Sequence, residues 1–189
     1  TKEGWVTPKP LIKLNNKELF LHAIDSVEIP QVKMKYSFIV RQEHIDKYDI
    51  DKGIKTILPH ANIFAVQKTT RGAVETCLMA HKAIGDEDAI LVMDCDLEFR
   101  SQGFNTLIKE ILSKPVEEVD GGALVSFDSN DPKYSYAEVN SEGIVVRTAE
   151  KEVISYHALC GAYFFSSARS FLYAADCLMH KTNYSKPEY

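Results

Sequence analysis

The sequence predicts an α/β fold: a mixed, mostly parallel sheet flanked by helices, with a second half that is rich in β-structure. Three observations predict it. Strand-like apolar runs alternate with amphipathic stretches as far as residue 114, which is the order that builds parallel sheets through right-handed crossovers. "AILVMD" (89–94) is a continuous apolar run, as expected of a strand covered on both faces. After Pro115, short strands divided by turns replace the alternation.

Taken in order, "ELFLHAIDSV" (18–27) carries apolar residues near helical spacing, and "KYSFIVRQ" (35–42) is a short β-prone run. "IDKYDIDKGIKTILP" (45–59) reads as a helical or loop passage that stops at a proline, and "ANIFAVQ" (61–67) as a strand. "RGAVETCLMAHKAI" (71–84) places Ala73, Cys77, Ala80 and Ile84 on one helical face. After the strand at 89–94, "FNTLIKEILSK" (104–114) is a further amphipathic helix. The second half offers strands at "GGALVSF" (121–127), "YSYAEVN" (134–140), "IVVRTAEK" (144–151) and "HALCGAYFFSS" (157–167). The turn "NSEG" makes a hairpin of the second and third of these. A helix over "ARSFLYAADCLMHK" (168–181) follows.

With 189 residues and 45% hydrophobic content, the chain suffices for one domain with a real core. Its net charge of −5 argues against a nucleic-acid groove, which needs a broad basic footprint. A few lysines can still hold a small anion. Cys77, Cys95, Cys160 and Cys177 stand far apart in apolar surroundings and form neither a CxxC pair nor a ligand box, so they read as reduced core residues of a cytoplasmic protein. No apolar run reaches the roughly 20 residues of a membrane span, and no signal peptide is legible. A soluble cytoplasmic protein is expected, with no membrane or nucleic-acid partner and with room for a homo-oligomer. The ends, "TKEGWVTPKP" and "HKTNYSKPEY", read as those of an excerpt of a slightly longer chain.

Chemistry concentrates at "VMDCDLE". In an extended segment Asp94 and Asp96 project to one side and Cys95 to the other. Ligands of open parallel sheets bind beyond the carboxyl ends of the strands, so two carboxylates there make a hard oxygen site for Mg²⁺ or Mn²⁺ shared with phosphates. The alternative is that acids at a strand end are simply solvated. In "TPKPLIK", Lys9 stands between two prolines on a stiff, extended segment and offers a point charge for phosphate. "VQKTTRGAVETC" runs from strand through polar loop to helix: Gln67 could read a base edge, while Arg71 and Gly72 offer backbone to a flat group.

The ordered set PKPLI, Q-x4-G, LVMDCD, YSYAEV, RTAEKE and CGAYFF resembles the nucleotidyltransferase family that activates sugar 1-phosphates. It covers nearly the whole chain and is most similar to members from bacterial capsule and surface-polysaccharide clusters. The resemblance implies a Rossmann-like domain, also the architecture of GT-A glycosyltransferases, spanning residues 1–189 as a single unit. It also implies that the family's leading strand and glycine-rich loop lie upstream of Thr1, and that a C-terminal end lies beyond Tyr189.

Residue by residue, the resemblance implies that Asp96 binds Mg²⁺ with Asp94 beside it, and that Lys9 touches the phosphates. Gln67, Arg71 and Gly72 fall where the nucleobase is held, with Glu75 in support. Glu150 and Lys151 match the pair that grips acceptor hydroxyls and acceptor phosphate, and Gly161 the glycine packed near the acceptor. Two departures bear on the acceptor: Ser135 stands where many sugar-specific members have glycine, and Glu152 where proline often follows the glutamate-lysine pair. No second metal aspartate is legible before Tyr189. The implied reaction is in-line attack by an acceptor phosphate on the α-phosphorus of an NTP, CTP or UTP, releasing pyrophosphate. The acceptor would be a sugar 1-phosphate, a small phospho-alcohol or a phosphorylated amino compound.

Two rival readings remain: a GT-A glycosyltransferase that consumes a nucleotide sugar, and a nucleotide-binding module without turnover. Lys9 and the Glu150-Lys151 pair favour the nucleotidyltransferase, because a glycosyl acceptor usually has no phosphate to neutralise. Pyrophosphate release separates the first rival, and binding without turnover identifies the second.

Overall fold

A computed structural model describes residues 7–119 and 121–180 of the chain. The first half places helices against a parallel strand pair. A short hairpin, β1 (Lys13–Leu14) with β2 (Lys17–Glu18), leads into helix α1 (Leu19–Val27). Strand β3 (Ser37–Arg41) is followed by α2 (Gln42–Tyr48) and α3 (Ile50–Ile57), and β4 (Asn62–Val66) returns parallel to β3, in register from Ser37–Asn62 to Arg41–Val66. Asp49 takes a left-handed conformation between the two helices, and its backbone N–H closes α2 on the Ile45 carbonyl. The passage expected as helix or loop is therefore two short helices.

Apolar side chains of α1 and α3 cover this strand pair. Phe20, Ile50, Ile54 and Ala61 form one buried cluster, with Phe38, Val40 and Ile63 of the strands packed against it. Burying each such side chain contributes on the order of 1.5–3 kcal/mol, which decides the placement of helices this short.

Helix α4 (Ala73–Leu78) is shorter than the sequence predicts. Past Met79 the chain tightens into a 3-10 turn at His81–Ala83, and Ala73 is exposed while Ala80 is buried. The Thr76 amide makes the first helical bond to the Gly72 carbonyl at 3.2 Å, and the Thr70 and Thr76 hydroxyls reach the same oxygen.

Strand β5 (Ile90–Met93) precedes α5 (Gln102–Leu112), whose first turn is capped by Ser101 accepting from the Phe104 amide. Such a cap contributes about 1 kcal/mol. The second half supplies β6 (Gly122–Asp128), β7 (Tyr136–Val139), β8 (Val145–Ala149) and β9 (His157–Phe165), then α6 (Ala168–Met179). The Asn140 side chain accepts from the amides of Glu142 and Ile144 and so shapes the β7–β8 hairpin turn. The last residue of the helix expected over 168–181, Lys181, lies outside the described residues, as do the sequence ends.

Strands β5 to β9 form one five-stranded antiparallel sheet around β9. On one edge β9 carries β6 along its length; on the other it carries β7 at His157–Ala158 and β5 at Ala162–Phe165. Beneath this sheet Phe104 and Ile108 of α5 pack with Val27, Ile29 and Phe164. The α/β class and the β-rich second half agree with the sequence. Parallel pairing is less extensive among the described residues: β3–β4 is the one parallel pair, and β5, expected inside a parallel sheet, pairs antiparallel with β9. The apolar character of β5 comes from helices and strands covering it, which a parallel neighbour is not needed to explain.

Candidate active site

The partner change along β9 brings Asp94, Gly161 and Ser135, three of the sequence-predicted residues, to neighbouring positions. Ser135, just before β7, accepts the Leu159 amide at 2.8 Å, and Gly161 accepts the Asp94 amide at 3.1 Å. The start of β7 and the end of β5 therefore meet on β9 two residues apart.

On the β5 side, Asp94 and Asp96 follow the last paired residue, Met93. The Asp94 carboxyl is pushed above its ordinary range, first by partial burial and then by the like charge of Asp96, with Lys9 opposing. Lys9 Nζ lies 3.3 Å from Asp96 Oδ2, and its side chain is 74% exposed. Lys9 does not sit on an extended rod: it opens a 3-10 turn, Lys9–Leu11, because the Leu11 amide folds back to the Pro8 carbonyl. Cys95 and Cys177, expected in the core, are exposed, since Cys95 follows the last paired residue of β5 and Cys177 lies on an outer position of α6. Local desolvation, followed by the Asp96 charge, still pushes the Cys95 thiol up to about 11, so it stays protonated at neutral pH.

On the β7 side, Glu150 is the hub. Ser135 Oγ donates to Glu150 Oε2, and Lys151 Nζ lies 3.2 Å from Glu150 Oε1. Lys151 has φ of 55°, a left-handed backbone that a lysine adopts only when its surroundings impose it. Glu152, where proline often follows, pairs with Arg147 at 3.3 Å. On β9, Tyr163 pairs with Val92 and Leu124, and its phenol is pushed up by burial, then by Asp94, then by Glu150. Sequence reasoning missed Tyr163, since within "CGAYFF" it reads as one more apolar strand residue.

The residues expected on the nucleotide side form two groups. Arg71 and Glu75 clamp the loop before α4, the Arg71 amide donating to Glu75 Oε2 at 2.6 Å and its Nε at 3.3 Å. The amide bond, more than the guanidinium, holds the Glu75 carboxyl below its usual range. Gly72 caps α4 in an extended conformation open to any residue, φ 170°. Burial, and after it the Asp94 charge, pushes the Cys77 thiol of α4 up. Gln67 stands apart, at the carboxyl ends of β3 and β4. Its amide donates to Gln42 Oε1 at 3.0 Å, leaving its carbonyl to accept. It lines a polar cavity of about 330 Å³ with Arg41, Glu43 and Lys68. Gln42 carried no signal in the sequence beyond being polar.

The donor set fits a hard cation. Among the described residues no group of three or more His, Cys, Asp or Glu side chains gathers to hold a metal by itself. Mg²⁺ does not need one: it keeps several waters and uses one or two carboxylates together with substrate phosphates. Asp94 and Asp96 supply such a pair, with like charges close enough to raise one carboxyl.

The model of the family described as nucleotidyl transferase matches residues 5–188. The chain belongs to that family. Among solved structures, this family member resembles the nucleoside-diphosphate-sugar pyrophosphorylase of Vibrio cholerae RC9 with a TM-score of 0.79 at 22% identity, over 100% of this chain and 78% of that one. It also resembles a Bacillus anthracis protein provisionally assigned as a glucose-1-phosphate thymidylyltransferase, solved with a sucrose, with a TM-score of 0.71 at 18% identity over 97% and 70% of the two chains. At these identities the likeness establishes the fold. No curated protein sequence matches the chain.

Proposed function

We propose that this nucleotidyl transferase moves a nucleotidyl group from an NTP to a sugar 1-phosphate or similar phosphate monoester, releasing pyrophosphate, in the cytoplasm and in service of bacterial surface-polysaccharide synthesis. One observation carries the reading: β9 joins an acid pair bearing a lysine, Asp94 and Asp96 with Lys9, through Ser135 to a glutamate-lysine pair, Glu150 and Lys151. Two anions must meet in this reaction, and the site offers a cationic side chain to each. Both Vibrio and Bacillus neighbours carry names of enzymes acting on nucleotide sugars or sugar phosphates, which agrees with the acceptor class. No helix among the described residues is long and apolar enough to cross a membrane, in keeping with a substrate drawn from the NTP pool.

In this reading Lys151 holds the acceptor phosphate, and Glu150 fixes the ammonium by its 3.2 Å contact. The left-handed backbone at Lys151 sets the direction of approach. Lys9, exposed beside Asp96, stabilises the departing pyrophosphate. Asp94 and Asp96 hold Mg²⁺, or Mn²⁺ in its place, which supplies positive charge at the α-phosphate. Gln67 accepts from the base through its carbonyl, a contact suited to the amino edge of CTP among others, and Arg71, Gly72 and Glu75 shape the loop beside it. Since no covalent intermediate is needed, all these residues act by positioning and by charge.

The test is pyrophosphate release by the full-length protein with Mg²⁺, each of the four NTPs and a panel of sugar 1-phosphates, phospho-alcohols and phosphorylated amino compounds. Release that depends on both an NTP and a phosphorylated acceptor is expected. Hydrolysis or transfer from a nucleotide sugar without pyrophosphate would instead identify a glycosyltransferase.

A further inference from the structure

Gly161 has a part in the geometry that its expected place near the acceptor does not explain. Three observations meet at this residue. First, its φ is +85°, in the region that favours glycine. Second, it lies in a bulge of β9: Leu124 pairs with Tyr163 and Ser126 with Leu159, so the single residue Val125 faces residues 160–162. Bulges of this kind redirect side chains and bend strands next to active sites. Third, the neighbour pressed against its bare Cα is the Asp94 side chain. A Cβ added at residue 161 would fall far inside van der Waals contact of Asp94 Oδ2 and 3.1 Å from its Cγ.

We propose that Gly161 is the positioning residue for Asp94, setting where that carboxylate stands relative to Asp96 by leaving a side chain's space empty and by accepting the Asp94 amide. Backbone and side chain of Asp94 are then located by one residue. The amide bond at 3.1 Å extends the β5–β9 ladder one step past the Met93–Ala162 pair, and the carboxylate occupies the gap that any larger residue would fill. Because the bulge lies where β9 passes from β7 to β5, the same backbone segment that carries Ser135 fixes the metal-side acid. Gly161 acts through Asp94 and needs no contact with substrate.

The inference rests on the metal role proposed for the Asp94–Asp96 pair, and a double-mutant cycle tests it separately. Mn²⁺ affinity is measured by the paramagnetic resonance of free Mn²⁺ for the intact protein, Gly161→Ala, Asp94→Ala and the double variant. Gly161→Ala is expected to weaken Mn²⁺ binding by about tenfold or more, the range seen when residues that orient metal ligands are lost. The double variant should bind no worse than Asp94→Ala. Unchanged Mn²⁺ affinity with a raised acceptor KM would overturn the proposal, as would independent, multiplicative losses in the cycle. Should Gly161→Ala fail to fold, the double variant decides. Recovery of its circular dichroism supports the contact with Asp94, and continued unfolding shows that the glycine serves its own backbone alone. Should the intact protein bind no Mn²⁺, the metal reading fails by itself and the cycle is read in melting temperature. There a non-additive loss keeps the Gly161–Asp94 coupling and an additive one removes it.

Discussion

At the scale of single residues, the two acids at the end of β5 differ in surroundings and should differ in consequence. Asp96 meets Lys9 and solvent, whereas Asp94, also exposed at the surface, lies against Gly161 and has its carboxyl raised by local desolvation and then by the Asp96 charge. Asp96→Ala is expected to lower kcat by more than about a hundredfold in a pyrophosphate-release assay, with an unchanged circular dichroism spectrum, because an exposed carboxylate supports metal and phosphate rather than packing. Near-normal Mg²⁺-dependent turnover would remove Asp96 from the site. Lys151→Met keeps the length of the side chain and removes its charge. It should raise the acceptor KM about tenfold and lower kcat, with the NTP KM inside about twofold. Equal weakening of both substrates would move Lys151 to the donor side. The candidate residues stood out in the sequence by type alone: acid-x-acid after an apolar run and glutamate-lysine at the end of a strand, each now seen beside the end of β5 or β8. Tyr163, Gln42 and the clamp from Glu75 to Arg71 were not legible in the same way, since they depend on which strands and loops lie side by side.

At the scale of elements, strands and helices announce themselves by period, while pairing and ends do not. The strand over 89–94 was plain in its apolar run, yet its antiparallel pairing with β9, some seventy residues on, leaves no local trace. Helix α4 ends at Leu78 because the Met79 and Ala80 amides turn back only three residues, to Thr76 and Cys77, a tightening that apolar spacing does not record. The turn into β5 shows how short side-chain bonds set such ends. Asp88 Oδ2 accepts the Gly85 amide at 3.0 Å and meets Lys35 Nζ at 2.9 Å, tying the turn to the approach of β3. The amide, then Lys35, holds the Asp88 carboxyl below its usual value. A lowered carboxyl contributes stability above its unfolded-state pKa, near 3.9, and that contribution fades as pH falls through the lower folded-state value. Since both partners are partly exposed, Asp88→Ala should cost only about 0.5–1 kcal/mol at pH 7. Urea melts at several pH values should show the gap between parent and variant narrowing below about pH 4. A gap that persists unchanged in acid would mean that Asp88 acts by packing.

At the scale of the whole molecule, α1 joins two hydrophobic cores. Phe20 belongs to the cluster around Ile50 and Ile54, and Val27, two turns along the same helix, belongs to the cluster around Phe104 and Phe164. Phe20 also meets Phe38 edge to face at 5.8 Å. Phe20→Ala should therefore cost about 3–5 kcal/mol and lower the thermal midpoint of the whole chain in one transition, as read by calorimetry. Two separated transitions would show that the halves melt independently of α1.

The two cores also differ in time. One closes among residues 20 to 61, all near neighbours along the chain, whereas the other waits for Phe164 to return to Val27. Short loops close first, because the entropy lost in joining distant segments delays their contacts. On a ribosome the helices around β3 and β4 can thus settle while β9 is still being made. The acid pair at the end of β5 then gains its position only when Gly161 arrives, so this chemistry is among the last features of the fold to exist.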